Sequence, residues 1–449
     1  MAGEANAQNL VRKELAELLK LAGPVILGRL GIMIMGLTDA IVVGRYSATQ
    51  LGYHALGWAP SAVVMTVALG LLSGVQVMTS RAIGEGRLAE TGAVLRRGLA
   101  YALQMGLAAS AILLAGGSWF LHSIGLEKDL ADGSSAVLMV FALSMPATTI
   151  SVACSSWLEA HGRPGPATAL MWAANAVNLA IDLVLVPGGF GIAPMGAIGG
   201  GWATFGARAF LAIATLAYIL RLKEARAWGV FDKPPRDPPA EAEQRRVGYG
   251  SGASNFFEVA SFSGMNIIAG WIGPIAVAGY SIVLNVASVV FMVPLGLATA
   301  TAVLVGRAYG RRDDEGIRRA ALIGFAVAGA FGVVINIVVA LLPGPIAGLY
   351  TRDAAALALT VPALLFCSLL FAPDALQVVV AQALRARGDV WPPTFTHLAS
   401  YILVMTPMAY VLAIPMHMGL MGLIWGINVS GVVSAGLLLG RFWMLSRKS

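Results

Sequence analysis

Long apolar runs alternate with short polar breaks along the whole chain. A run of about 20 apolar residues is enough for a helix to cross a bilayer. The pattern predicts twelve such helices, over residues 18–43, 51–77, 92–117, 133–155, 165–187, 195–220, 248–271, 277–303, 318–342, 356–382, 393–415 and 420–443. Between the sixth and seventh lies "KPPRDPPAEAEQRR", Lys233 to Arg246, whose Pro and charge content marks a linker. The expected organisation is an N-terminal lobe over 1–220, a linker over 221–247 and a C-terminal lobe over 248–449. The leading stretch "MAGEANAQNLVRKELAELLK" mixes acids and bases before any long apolar run. It makes a poor signal peptide and reads instead as a short amphipathic helix entering the first span.

Composition agrees with this pattern and narrows the class. Hydrophobic residues make up 58% and charged residues 12%, with a mean hydropathy of +0.78. Soluble domains carry roughly 25% charged residues, so this is an all-α polytopic membrane protein rather than a soluble enzyme with a large core. The Lys and Arg residues orient it. With the N-terminus cytoplasmic, 25 of the 30 fall on inside segments, including Arg81, Arg163, the linker cations Lys233 and Arg236, Arg307 and Lys448. The outside loops keep Arg45, Lys128 and Arg352, while Arg29 and Arg208 remain in spans. This bias places both termini inside. It also accounts for the net charge of +7, so nucleic acid is not implied as a partner.

Candidate chemistry is sparse. Cys154 and Cys367 both fall in predicted spans, where free cysteines behave as small packing residues. The five histidines show no ligand spacing. No GxxxxGK[ST] phosphate loop is present, so no ATPase is visible. Any pumping must draw on an ion gradient or a partner, and no cofactor is expected.

The chain repeats at an offset of 226 residues. "GLLSGVQVMTSRAIGEG" from Gly70 matches "GLATATAVLVGRAYGRR" from Gly296, and "LEAHG" (158–162) falls on "LRARG" (384–388). Gly44, Arg81, Gly84 and Gly98 fall on Gly270, Arg307, Gly310 and Gly324. Each repeat holds six predicted helices, an even number, so both enter from the same side. Two six-helix lobes related by a pseudo-two-fold axis along the membrane normal are expected, with a substrate cavity between them.

Four acids fall well inside spans: Asp39, Asp182, Glu258 and Asp374. An ionised carboxylate at the bilayer centre costs from about 2.5 kcal/mol upward, so such residues mark ion or substrate paths. Asn178 lies four residues before Asp182, on one helix face, with Asn175 about a turn earlier. Pro373 precedes Asp374 and is expected to break the helix there. Two carboxylates fall in each lobe, and the repeat does not relate them: Asp39 maps to Met265, Glu258 to Ile32 and Asp374 to Thr148. Buried carboxylates of this kind suit a proton or Na⁺. Arg29 is placed to reach back toward the cytoplasmic side, whereas Arg208 either neutralises a first-lobe acid or faces a wet cavity.

With these residues in view, the chain resembles the MATE (multidrug and toxic compound extrusion) transporters, near their bacterial NorM-like subgroup. The resemblance covers roughly residues 15–440. It rests on "GLTDAIVVGR", "NAVNLAID", "SNFFEVASF", "VPLGLATATAVLVGRAYG" and "FAPDALQVVVAQALRARGD". It implies a multi-pass antiporter of the bacterial inner membrane, exporting amphipathic, often cationic drugs against inward Na⁺ or H⁺ by alternating access. Asp39, Asn178 and Asp182 match the family's first-lobe ion pattern, and Thr204 corresponds to its helix 6 hydroxyl. Glu258 and Asp374 match the second-lobe acids of the NorM-like members. A metal role, if any, is Na⁺ at one of these two sets. Met33, Met35, Phe257, Met265 and Met292 are candidates for a soft drug-binding surface. Expected partners are drug-like small molecules and the lipid bilayer, with no obligate protein partner.

Two other readings compete. A lipid-linked precursor flippase of the same broader superfamily would need a cationic cavity for pyrophosphate, which four intramembrane acids against two arginines argue against. A membrane-bound transferase or protease would need a catalytic pair at the interface. No HExxH and no Ser/His arrangement is present.

Overall fold

The computed structural model describes residues 2–233 and 237–447, with side chains from Asn9 onward; Arg236 and Lys448 of the charge pattern lie outside the described residues. All twelve predicted spans are helical. They are α1 (Ala2–Tyr46), α2 (Ala48–Gly84), α3 (Leu88–Ser123) and α4 (Lys128–Leu143 continued by Met145–Ala160). Then follow α5 (Pro164–Leu185), α6 (Gly196–Leu220), α7 (Pro238–Ile272) and α8 (Pro274–Gly310). The last four are α9 (Asp314–Leu341), α10 (Ala354–Ala386), α11 (Trp391–Ala413) and α12 (Leu420–Ser446). Among the described residues there is no strand, only an isolated bridge between Gly189 and Ile192 in the α5–α6 loop.

Local chemistry sets the ends and the bends. Asp313 and Asp353 accept from the backbone N–H groups of Gly316 (2.8 Å) and Ala356 (2.7 Å), capping α9 and α10. Pro164 and Pro274 occupy the first helical position of α5 and α8, where a missing N–H costs nothing. Gly273, at φ 140°, turns the chain from α7 into α8 in one residue. Helix α4 bends by 41° at Ser144, two residues before Pro146. In α10 a 3-10 turn over Ser368–Leu370 precedes Pro373, so the distortion expected at this proline is taken up just ahead of it. Helix α11 contains a π-helical segment, Leu398–Met405, a feature often found at functional sites.

The amphipathic leader is not separate from the first span: α1 runs unbroken from Ala2. Nor is the linker a free tether over its described part. Trp228 O accepts from Gly92 N (2.8 Å), and Arg96 Nη2 donates to Val230 O (3.0 Å). His161 lies tilted against both Trp157 (4.0 Å) and Trp228 (4.2 Å), which meet each other edge to face, with the Arg163 guanidinium 5.1 Å from the Trp228 ring. A Cβ on Gly229, at φ +67°, would fall 2.0 Å from Ala89 O. The composition of 221–247 signals a linker because it is polar, but its one tryptophan, Trp228, has a socket to fill. From Pro238 onward the segment is already α7.

The chain forms two compact units, an N unit of residues 27–252 and a C unit of residues 1–26 with 253–449. These boundaries lie within α1 and α7 rather than at the linker, so each of those helices gives its opening part to one unit and the rest to the other. The two boundaries are 226 residues apart, the offset of the sequence repeat. Two ion pairs obey the same offset. In the C unit Arg307 Nη1 meets Glu17 Oε1 at 2.9 Å; in the N unit Arg81 Nη1 meets Glu243 Oε1 at 3.3 Å. Each pins the opening part of α1 or α7 to the end of a neighbouring helix.

Candidate functional site

In the N unit, Asp39 of α1 is buried and both its carboxylate oxygens accept hydrogen bonds from neutral donors. Asn178 Nδ2 donates to Oδ1 at 2.7 Å, and Thr204 Oγ1 donates to Oδ2. Asn178 and Asp182 share one face of α5, so the turn that brings Asn178 to Asp39 also brings Asp182 beside it. All three, with Thr204 of α6, are at most 2% exposed.

What remains is a set of bare oxygens. Asp182 Oδ1 and Oδ2, Asn178 Oδ1 and Asn175 Oδ1 are buried with no hydrogen-bond donor. The amide of Asn175 is turned the other way, its Nδ2 donating to Gly31 O (3.1 Å) and Met171 O (3.0 Å). Buried acceptors without donors are costly, the more so beside a second carboxylate. The arrangement is suited to whatever supplies positive charge: a proton on a carboxylate, or a small hard cation held by oxygens.

Two further side chains reach this cluster. Arg208, one turn beyond Thr204, is buried and donates Nη1 to Ser144 Oγ at 2.7 Å, with its guanidinium 5.2 Å from the Trp58 ring centre. Asp39 is the charged group acting on it. His54 of α2 is buried edge-on to Phe141 (5.3 Å), with Asp39 again the charged neighbour and Nδ1 without a partner. Sequence reasoning passed over His54, a lone histidine in an apolar run with no ligand spacing.

In the C unit, Glu258 of α7 and Asp374 of α10 are half-buried and act on each other electrostatically. Asp374 Oδ1 accepts from Gln377 Nε2 (3.2 Å), and the same amide donates to the Tyr401 hydroxyl (3.0 Å) in the π-helical segment of α11. Ser434 Oγ donates to Gln377 Oε1 (3.4 Å). Arg385 Nη2 donates to Ser254 Oγ (2.6 Å), one turn before Glu258, whose charge acts on it. Gln377 was findable, since it lies three residues after Asp374 on the same helix. Ser254 was findable in the same way, four residues before Glu258, whereas Tyr401 and Arg385 left no such signal.

Other expectations change. Arg29 does not simply reach for water; Nη2 lies 3.8 Å from Oε1 of Glu159, an acid near the end of α4 that the count of four omitted. Of the residues proposed for a drug surface, Met265 is fully buried in the C-unit core with Ile268, Tyr280 and Val283. Met35 packs in the N unit against Ala174, Ala207 and Leu211. Both are core residues here, because their faces of α1 and α7 turn onto neighbouring helices. Met33, Phe257 and Met292 stay half-buried. Cys154 and Cys367 are both buried and unbonded.

The molecule is thus of the duplicated, all-helical transporter class, with acids held inside each compact unit. The MatE family model matches twice, over residues 24–184 and 251–411, starting points 227 residues apart. The chain is 59% identical over 435 residues to the Probable multidrug resistance protein NorM of Caulobacter vibrioides, covering 97% of this chain and 92% of that one. It is 32% identical to the Multidrug resistance protein PmpM of Pseudomonas aeruginosa over 90% of this chain and 85% of that one. A crystal structure of MATE in the bent conformation superposes with a TM-score of 0.88, covering 98% of each chain at 20% identity. The chain belongs to the MatE family.

Proposed function

We propose that the chain is a secondary antiporter of a bacterial inner membrane, exporting amphipathic, often cationic drugs in exchange for Na⁺ or H⁺ by alternating access. The observation that carries this reading is the buried cluster of donor-free oxygens around Asp39 and Asp182. Such a cluster changes energy strongly when a cation enters or leaves. A ligand shifts a conformational equilibrium only through its differential affinity for the two states, and an acid pair this buried supplies one. Glu258 and Asp374 form a second candidate site in the C unit. Relatives named for multidrug resistance support the cargo class. The flippase alternative finds no support in either cluster, since each holds two acids against one arginine.

The test is dye efflux from proteoliposomes under an imposed Na⁺ gradient or an imposed pH gradient, one at a time. Efflux driven by either, and lost in Asp39→Asn and Asp182→Asn, is the expected result. Efflux that needs ATP, or that is unchanged in both variants, refutes the reading.

A further inference from the structure

The N-unit cluster holds two carboxylates and one guanidinium. Left alone, two adjacent buried carboxylates with oxygen neighbours would suit a divalent cation, which takes hard oxygen ligands. Arg208 changes that balance. Its anchors are the Ser144 hydroxyl at 2.7 Å, the Met65 sulfur at 3.7 Å and the Trp58 ring face. All three are neutral, so none cancels its charge. Thr204, four residues earlier on the same helix face, holds Asp39, and Asp39 is the charged group that acts on the guanidinium. The donors on Asp39 are Asn178 and Thr204, so Arg208 adds charge without filling the coordination positions of the acids. The other charged or titratable groups here are Asp39, Asp182 and His54.

We propose that Arg208 is a resident counter-charge that sets this acid pair to a single exchangeable positive charge and thereby excludes divalent cations. The proposal rests on reading Asp39 and Asp182 as the ion site. Arginine suits the role because it stays protonated in proteins, whereas a lysine can lose its charge when buried. The C unit repeats the arithmetic with unrelated positions. Glu258 and Asp374 are accompanied by buried Arg385, itself held on the Ser254 hydroxyl at 2.6 Å. The repeat does not relate the two sets of residues, so two acids with one offset guanidinium occupy different positions in the two copies of the repeat.

The experiment uses the purified full-length protein in detergent, with radiolabelled Ca²⁺ as probe in equilibrium dialysis and thermal unfolding alongside. Wild type should show no saturable Ca²⁺ binding. Arg208→Met removes the charge at similar length and should acquire one saturable site, which the added Asp182→Asn change removes. If Arg208→Met fails to fold, the double variant with Asp182→Asn again carries one net negative charge and should fold. A folded Arg208→Met without Ca²⁺ binding overturns the proposal, as does failure of both the single and the double variant to fold. The antiporter reading fails separately: it falls if ion-driven efflux is unchanged in both Asp39→Asn and Asp182→Asn. If those variants abolish efflux while Arg208→Met gains no site, only the counter-charge role falls.

Discussion

At the scale of single residues, the oxygens of Asp182 lack donors, so its charge is tolerated rather than used by the fold. Asp182→Asn should therefore lower stability by no more than about 1 kcal/mol, or raise it, since an unsatisfied buried acceptor is itself a cost of about 1–3 kcal/mol. Ion-driven efflux should fall to background. Thermal unfolding and liposome efflux on the same preparation check both halves. Glu258→Gln and Asp374→Asn should likewise keep the fold while weakening the dependence of efflux on the driving ion; full transport at every gradient in both variants would confine coupling to Asp39 and Asp182. The acids themselves were legible, because a carboxylate in an apolar run is conspicuous, and the four-residue spacing tied Asn178 to Asp182. Their helpers were not. Tyr401 and His54 gain their meaning from partners on other helices, and nothing local to either sets it apart.

Among the elements, the linker and the helix openings are the parts that polar composition disguised. Spans could be read from apolar length, but docking of residues 221–233 depends on the socket that Trp157, His161 and the Gly92 backbone make for Trp228. Trp228→Ala should release the segment, and trypsin should cleave at Arg221, Lys223 or Arg226 several times faster than in the wild type. Unchanged cleavage would mean that the backbone contacts of Gly92 and Arg96 suffice. The two repeat-related ion pairs allow a sharper comparison. Arg81 is 9% exposed in its side chain and Arg307 17%, while Glu243 and Glu17 are 29% and 48% exposed. Exposed pairs contribute about 0–1 kcal/mol, and the more buried pair should contribute more. Glu243→Gln should therefore lower the unfolding temperature further than Glu17→Gln. The reverse order in a thermal scan would contradict the burial argument.

For the whole molecule, the charge bias predicts that single cysteines at Asn9 and Arg447 resist an impermeant thiol reagent added outside intact cells. The native Cys154 and Cys367 are buried and should stay silent, so ready labelling at either new position would reverse the orientation. The duplication was legible as a sequence offset, yet the sequence alone hid where the structural division falls. Each compact unit is completed by the opening part of a helix that belongs to the other repeat. Chain fragments 1–233 and 237–449 should accordingly be unstable when expressed singly and should recover dye efflux when expressed together. The same exchange constrains ancestry. A forebear of half this length, folded in the same way, could not have completed itself. It would have lived as a reciprocally swapped homodimer, each copy lending its leading helical turns to its twin, before gene fusion made the loan permanent and let the two acid sites diverge.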